Sequence, residues 1–125
     1  MNVIIADDEL RLRKVVATFL RKSGLEVIEA SSGEQTLEIL KTKIPDIVVL
    51  DISMPGLNGL EICKQIKSTT LYKDIPVLLL TASISAEKRA EGIKAGADDY
   101  VTKPFSQKEL LEKIMTAKKT KPPLH

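Results

Sequence analysis

Five short apolar runs, each ending at a polar residue and each followed by an amphipathic stretch, constrain this chain most. Val3-Ile4-Ile5-Ala6 stops at Asp7-Asp8. Arg11 to Lys22 then carries Leu12, Val15, Val16, Phe19 and Leu20, the stripe of a one-faced helix, and Ser23-Gly24 ends it. Glu26 to Ala30 reads as a second strand. Ser32 can cap a helix with Leu37, Leu40 and Ile44 on one side, closed by Pro45. Asp46 to Leu50 shows no polar alternation after its first residue, so both its faces are buried, as in a parallel sheet. That strand ends at Asp51. Met54-Pro55-Gly56-Leu57-Asn58-Gly59 is turn chemistry, and a third helix follows from about Leu60 to Lys67. Ile75 to Leu80 is apolar apart from Pro76 near its start, where a missing N–H is tolerated, and ends at Thr81. A fourth helix covers about Ala86 to Ala95 and stops at Gly96. Asp99 to Thr102 is a short fifth strand ending at Lys103-Pro104-Phe105. Ser106 caps a last helix with Leu110, Leu111, Ile114 and Met115 inward.

This alternation predicts an α/β fold, a parallel sheet with helices on both faces. At 125 residues the chain is one domain, expected over residues 1–118. The basic, proline-containing stretch 119–125 reads as a linker or an appended end. Cys63 is the single cysteine, which excludes an intrachain disulfide and a cysteine metal site. It reads as a small buried hydrophobe. No apolar run approaches the ~20 residues of a membrane span, and Asp7-Asp8-Glu9 come too early for a secretory signal. The expected compartment is a reducing one, the cytoplasm, with no membrane partner. A net charge of +2 is too mild to argue for nucleic-acid binding.

In an open parallel sheet, ligands bind beyond the carboxyl ends of the strands, where the strand order reverses. Four strands end in chemically capable residues: Asp7-Asp8, Asp51, Thr81 and Lys103. Taken singly, each has an ordinary reading. The aspartates can cap a helix or form a turn, Thr81 can be an ordinary helix-approach hydroxyl and Lys103 a surface lysine. Their coincidence at equivalent strand ends is the signal. If the first and third strands are neighbours, Asp7, Asp8 and Asp51 converge. Three such carboxylates repel unless positive charge is present. Lys103 supplies one charge and a divalent cation two more, and an oxygen-only donor set favours Mg²⁺ over zinc or copper.

Ile-Ala-Asp-Asp-Glu, Val-Val-Leu-Asp-Ile-Ser-Met-Pro-Gly and Gly-Ala-Asp-Asp-Tyr-Val-Thr-Lys-Pro-Phe together resemble the signature of bacterial response-regulator receiver domains of the chemotaxis-regulator type, over about residues 2–117. The resemblance implies a doubly wound five-stranded parallel sheet, order 2-1-3-4-5, with five helices on both faces. It implies that Asp51 accepts a phosphoryl group from a histidine kinase. Asp8, Asp51 and the backbone carbonyl of Ser53 would ligate Mg²⁺, with Asp7 holding it through water. Lys103, behind a cis Lys103-Pro104 peptide, would neutralise phosphoryl charge. Thr81 would donate its hydroxyl to the phosphoryl group, with Tyr100 as the switch aromatic on the face of the fourth helix, fifth strand and fifth helix. Gly92 inside the fourth helix softens it by ~1 kcal/mol relative to Ala. Ser53 and Ser83 occupy positions that influence phosphate lifetime. Such a domain is no conventional enzyme, since it catalyses only its own phosphorylation and dephosphorylation.

The resemblance extends to receivers of winged-helix transcription factors, which implies a fused or separate output domain and a phosphorylation-dependent homodimer. Arg89 with Glu109, and Asp98 or Asp99 with Lys113, are candidate pairs across it. The domain itself would not touch nucleic acid. One alternative keeps the fold and acts as an unphosphorylated interaction module. A phosphatase of the haloacid dehalogenase type is disfavoured because Ser53 stands where its second aspartate belongs. A flavin module is disfavoured because Asp7-Asp8-Glu9 would repel the phosphate, and no P-loop occurs.

Overall fold

The computed structural model describes residues 1–54, 56, 58–82 and 85–120. Pro55 and Leu57 of the turn, Ser83, and residues 121–125 of the tail lie outside the described residues. The elements alternate as β1 (Asn2–Ala6), α1 (Leu10–Lys22), β2 (Glu26–Ala30), α2 (Gly33–Leu40), β3 (Ile47–Asp51), α3 (Gly59–Ser68), β4 (Val77–Thr81), α4 (Ala86–Lys94), β5 (Asp99–Thr102) and α5 (Gln107–Thr120). The five strands are parallel, in the order β2-β1-β3-β4-β5. α5 continues two residues past the expected domain boundary at 118.

β3 and β4 are buried along their whole length because strand alternation feeds two cores. Ile4, Val48, Leu50, Val77 and Leu79 pack with Ile62 and Ile66 of α3 on one face. Val3, Ile5, Ile47, Val49, Leu78 and Leu80 pack with Val16 and Leu20 of α1 and Leu110 and Ile114 of α5 on the other. Polar side chains close the helix starts. Ser32 Oγ accepts from Gln35 N, Asn58 Oδ1 from Glu61 N and Ser106 Oγ from Glu109 N, at 3.0–3.1 Å. Each such cap is worth about 1 kcal/mol.

Three residues expected inside lie outside. Ile44 is 49 % exposed because α2 ends at Leu40, well before Pro45. Val15 and Met115 are 50 % and 43 % exposed. In α1 the buried arc runs through Val16, Ala17 and Leu20, which turns Val15 outward. No helix among the described residues is long and apolar enough to cross a membrane.

Candidate functional site

The sheet register assembles the site. Ala6 pairs with Leu50, so Asp7 and Asp51 leave neighbouring strands at the same level. Asp51 pairs with Leu80, and Thr81 with Thr102, so Thr81 and Lys103 stand just beyond. Alternation sends Asp51 with Val49 toward α1 and α5, and Thr81 with Leu79 toward α3 and α4.

Asp7 and Asp51 are 1 % and 4 % exposed, while Asp8 is exposed. One carboxylate oxygen from each of the three can lie within 4.8 Å of the others. Lys103 Nζ donates to Asp51 Oδ2 at 3.0 Å and Asp7 Oδ2 at 3.3 Å. Its peptide to Pro104 is cis, and its own N–H donates to the Thr81 carbonyl at 2.7 Å. Ser53 N donates to Asp51 Oδ1 at 3.1 Å, and Glu9 N to Asp7 Oδ1 at 2.9 Å. Asp7 therefore serves the turn after β1 rather than capping α1, whose start has no side-chain cap.

Burial raises the Asp51 carboxyl above its ordinary value, and the charge of Asp7 adds to this, against the opposing pull of Lys103. Burial disfavours the Lys103 ammonium, but its bond to Asp51 and the charges of Asp51 and Asp7 outweigh that and raise it. Three clustered carboxylates, two of them sharing one ammonium, leave the cluster short of positive charge. The donors are all oxygen, two of the three are buried, and their spacing suits one small ion, so the residues fit Mg²⁺.

Thr81 and Tyr100 line one cavity of about 120 Å³ together with Leu79, Gly92 and Ile93. A Cβ on Gly92 would stand 3.3 Å from Leu79 Cδ1, so the missing side chain contributes to that space. Arg89 lies over the Tyr100 ring at 5.2 Å. Lys113 Nζ meets Asp99 Oδ2 at 3.1 Å within the chain. Asp98 turns elsewhere: its Oδ2 accepts from Lys67 Nζ and from Val77 N, both at 2.8 Å. Glu109 donates its backbone N–H to the Ser106 cap.

Two contributors escaped the sequence reading. A Cβ on Gly59 would stand 2.5 Å from the Asp51 carbonyl oxygen, so α3 can begin this close to the acceptor strand only with glycine there. Arg13 Nη1 donates to the Asp7 carbonyl at 2.8 Å. The Asn-Gly pair read as a turn held a hint of the first, whereas nothing in the local pattern separates Arg13 from other helix-surface arginines.

A doubly wound domain with an oxygen-only acidic site at its strand-order switch is the class that fold and site define. The chain belongs to the response regulator receiver domain family, which matches residues 3–115. It is 42 % identical over 123 residues to the response regulator MprA of Mycobacterium leprae, covering 98 % of this chain and 53 % of that protein. It is 36 % identical over 113 residues to the phosphate regulon transcriptional regulatory protein PhoB of Pseudomonas aeruginosa, covering 90 % and 49 %. The chain thus spans about half the length of these relatives. Among solved structures, the chemotaxis response regulator CheY4 of Vibrio cholerae superposes with a TM-score of 0.88 at 32 % identity, covering 93 % of this chain and 97 % of that one. The Francisella response regulator 1452 receiver domain gives 0.86 at 33 %, covering 94 % and 96 %.

Proposed function

We propose that this domain, over residues 1–118, accepts a phosphoryl group on Asp51 from a phosphohistidine of a kinase in the cytoplasm. One Asp51 oxygen bonds to phosphorus as the P–N bond breaks. The observation that supports this most is the convergence of Asp7, Asp8 and Asp51, with Asp7 and Asp51 held by the Lys103 ammonium. A carboxylate is a weak nucleophile, so orientation and charge neutralisation carry the rate. Ser53 N–H and Lys103 fix the two Asp51 oxygens. Asp8, Asp51 and the Ser53 carbonyl would hold Mg²⁺ directly and Asp7 through water. Mg²⁺ when bound supplies positive charge to the phosphoryl oxygens. Lys103 adds its own.

The readout is a change of the α4–β5–α5 face. Thr81 turns its hydroxyl to the phosphoryl group, and Tyr100 moves into the cavity the two residues share. The relatives named transcriptional regulators are twice this length, which supports an output domain beyond this one. A phosphorylation-dependent homodimer would use Arg89 with Glu109 and Lys113 with Asp99. Asp98 is the alternative partner for Lys113, and within the chain it is engaged by Lys67.

The test is intact mass after incubation with a small-molecule phosphodonor and Mg²⁺. Wild type gains one phosphoryl group, and Asp51→Asn and an EDTA-treated sample gain none. A gain that survives in Asp51→Asn overturns the assignment. No gain from the small donor or from any of several phosphorylated histidine kinases favours the unphosphorylated interaction module.

A further inference from the structure

Asp7 has every polar group committed. Its N–H donates to the Ala30 carbonyl of β2 at 3.1 Å. One carboxylate oxygen takes the Glu9 N–H and the other Lys103. The remaining group, its carbonyl, takes Arg13 Nη1. That carbonyl belongs to the peptide joining Asp7 to Asp8, so whatever holds it sets the directions of both carboxylates.

Arg13 is itself held. Its side chain is 11 % exposed, and its Nε donates to Glu29 Oε1 at 3.1 Å. A guanidinium never loses its proton and fixes two acceptors in one plane, so this side chain ties the Asp7 carbonyl to the Glu29 carboxylate. Glu29, 13 % exposed, also meets Lys14 at 3.1 Å and Arg21 at 3.4 Å. Burial opposes its ionisation, but Lys14, Arg13 and Arg21 outweigh it and keep the carboxyl below its ordinary value. Glu29 offsets part of the Arg13 charge, and a cation beside the acidic site works against metal binding, so what Arg13 can offer that site is geometry.

We propose that Arg13, anchored by Glu29 on the edge strand β2, is a positioning residue that clamps the Asp7–Asp8 peptide and pre-aims both carboxylates at Asp51. This rests on the reading of Asp7, Asp8 and Asp51 as the cation-assisted phosphoryl site. It gives β2, whose end carries no site residue, a part in that site.

Position and charge predict opposite signs. Removing a cation beside a metal site tightens Mg²⁺ by electrostatics, whereas loosening the peptide weakens it. Arg13→Lys keeps the charge and loses the planar fork, Arg13→Met loses both, and Lys14→Met removes a Glu29 contact that never reaches Asp7. MgCl2 titration calorimetry on the full chain reads affinity. Hydrogen exchange of the Glu9 amide in metal-free protein reads the order of the turn.

Arg13→Lys and Arg13→Met weaken Mg²⁺ by about tenfold and speed Glu9 exchange by roughly tenfold. Lys14→Met leaves both near wild type. Wild-type behaviour in Arg13→Lys, or tighter Mg²⁺ in Arg13→Met, overturns the clamp. An equal loss in Lys14→Met overturns it too, because the effect then belongs to the Glu29 cluster as a whole. If wild type takes no Mg²⁺ while Arg13→Lys speeds exchange, the clamp stands and the reading of the acidic site fails.

Discussion

Lys103 Nζ stands 3.0 Å from Asp51 Oδ2, a contact between residues at the ends of two strands that are not neighbours in the sheet. One ammonium there serves two buried carboxylates, Asp51 and Asp7. The competition has a direction: burial and the Asp7 charge prevail over Lys103, so the Asp51 carboxyl is raised. A raised carboxyl stabilises the fold most below its unfolded value of 3.8, and that contribution is lost as pH rises through the folded value. Lys103, also raised, contributes at all pH below 10.5 and fails only above it.

Asp51→Asn is therefore expected to stabilise the metal-free protein at pH 7. Asn keeps an acceptor for Ser53 N–H, removes the repulsion with Asp7 and leaves Lys103 to Asp7 alone. The gain is on the order of 1 kcal/mol, a rise of about 3 °C in Tm. Calorimetry across pH checks the sign. The advantage vanishes below pH 3.8, where wild-type Asp51 is neutral, and grows as pH rises. A variant less stable than wild type at pH 7 contradicts the account.

The same residues show what could be read from the chain and what could not. The strand ends were legible because short strand-like runs halt at Asp7, Asp51, Thr81 and Lys103, and a parallel sheet has one chemically active edge. Gly59 was not, because its constraint is the Asp51 backbone, eight residues back but folded against it. Asp98 illustrates the same limit. From sequence it and Asp99 are interchangeable as partners of Lys113 across a dimer, and their neighbours within the chain are not legible. Within the chain Asp98 meets Lys67, whose ammonium also donates to the Ile75 carbonyl at 2.7 Å, and Asp99 meets Lys113. Ile44 failed for another reason: apolar spacing continued after the helix hydrogen bonds had stopped.

Gly59→Ala tests the close approach of α3 to the acceptor strand. The added Cβ meets the Asp51 carbonyl oxygen at 2.5 Å, the Asp51 carbonyl carbon at 2.9 Å and Ile52 Cα at 2.9 Å. All three are backbone, so no rotamer change relieves the clash, and α3 or β3 must shift. Overpacking of this kind costs about 1–3 kcal/mol, read as a lower urea midpoint with an unchanged slope. The shift also displaces Asp51, so the phosphorylation rate falls by more than the lost stability explains. Gly92→Ala, which meets only a flexible Leu79 methyl, is the milder comparison.

Cys63 is expected to be inert in the folded protein. Its thiol is fully buried in the core beside α3 and donates to the Ala95 carbonyl at 3.4 Å. Burial pushes it up to about 11, so at pH 8 about one molecule in a thousand carries the thiolate that reacts. Labelling by a disulfide reagent should proceed only through opening of the fold and accelerate with urea in step with unfolding. Rapid labelling without denaturant would show a local opening around Ala95, at the end of α4.

Thr81→Ala separates the chemistry from the response. Thr81 is 7 % exposed at the end of β4, and its carbonyl accepts the backbone bond from Lys103 N, which the substitution retains. Asp51, Lys103 and the acidic cluster therefore stay in place, and the mass gain with phosphodonor and Mg²⁺ is expected to survive. What is lost is the hydroxyl that answers the phosphoryl group, and with it the cue for Tyr100 across their shared cavity. Amide spectra should show phosphorylated wild type shifting along residues 99–102 and α4, and phosphorylated Thr81→Ala shifting only near Asp51. Equal shifts in both proteins would remove Thr81 from the switch. The cavity beside Gly92 would then need another reason to exist, since an unfilled apolar space costs stability in proportion to its volume.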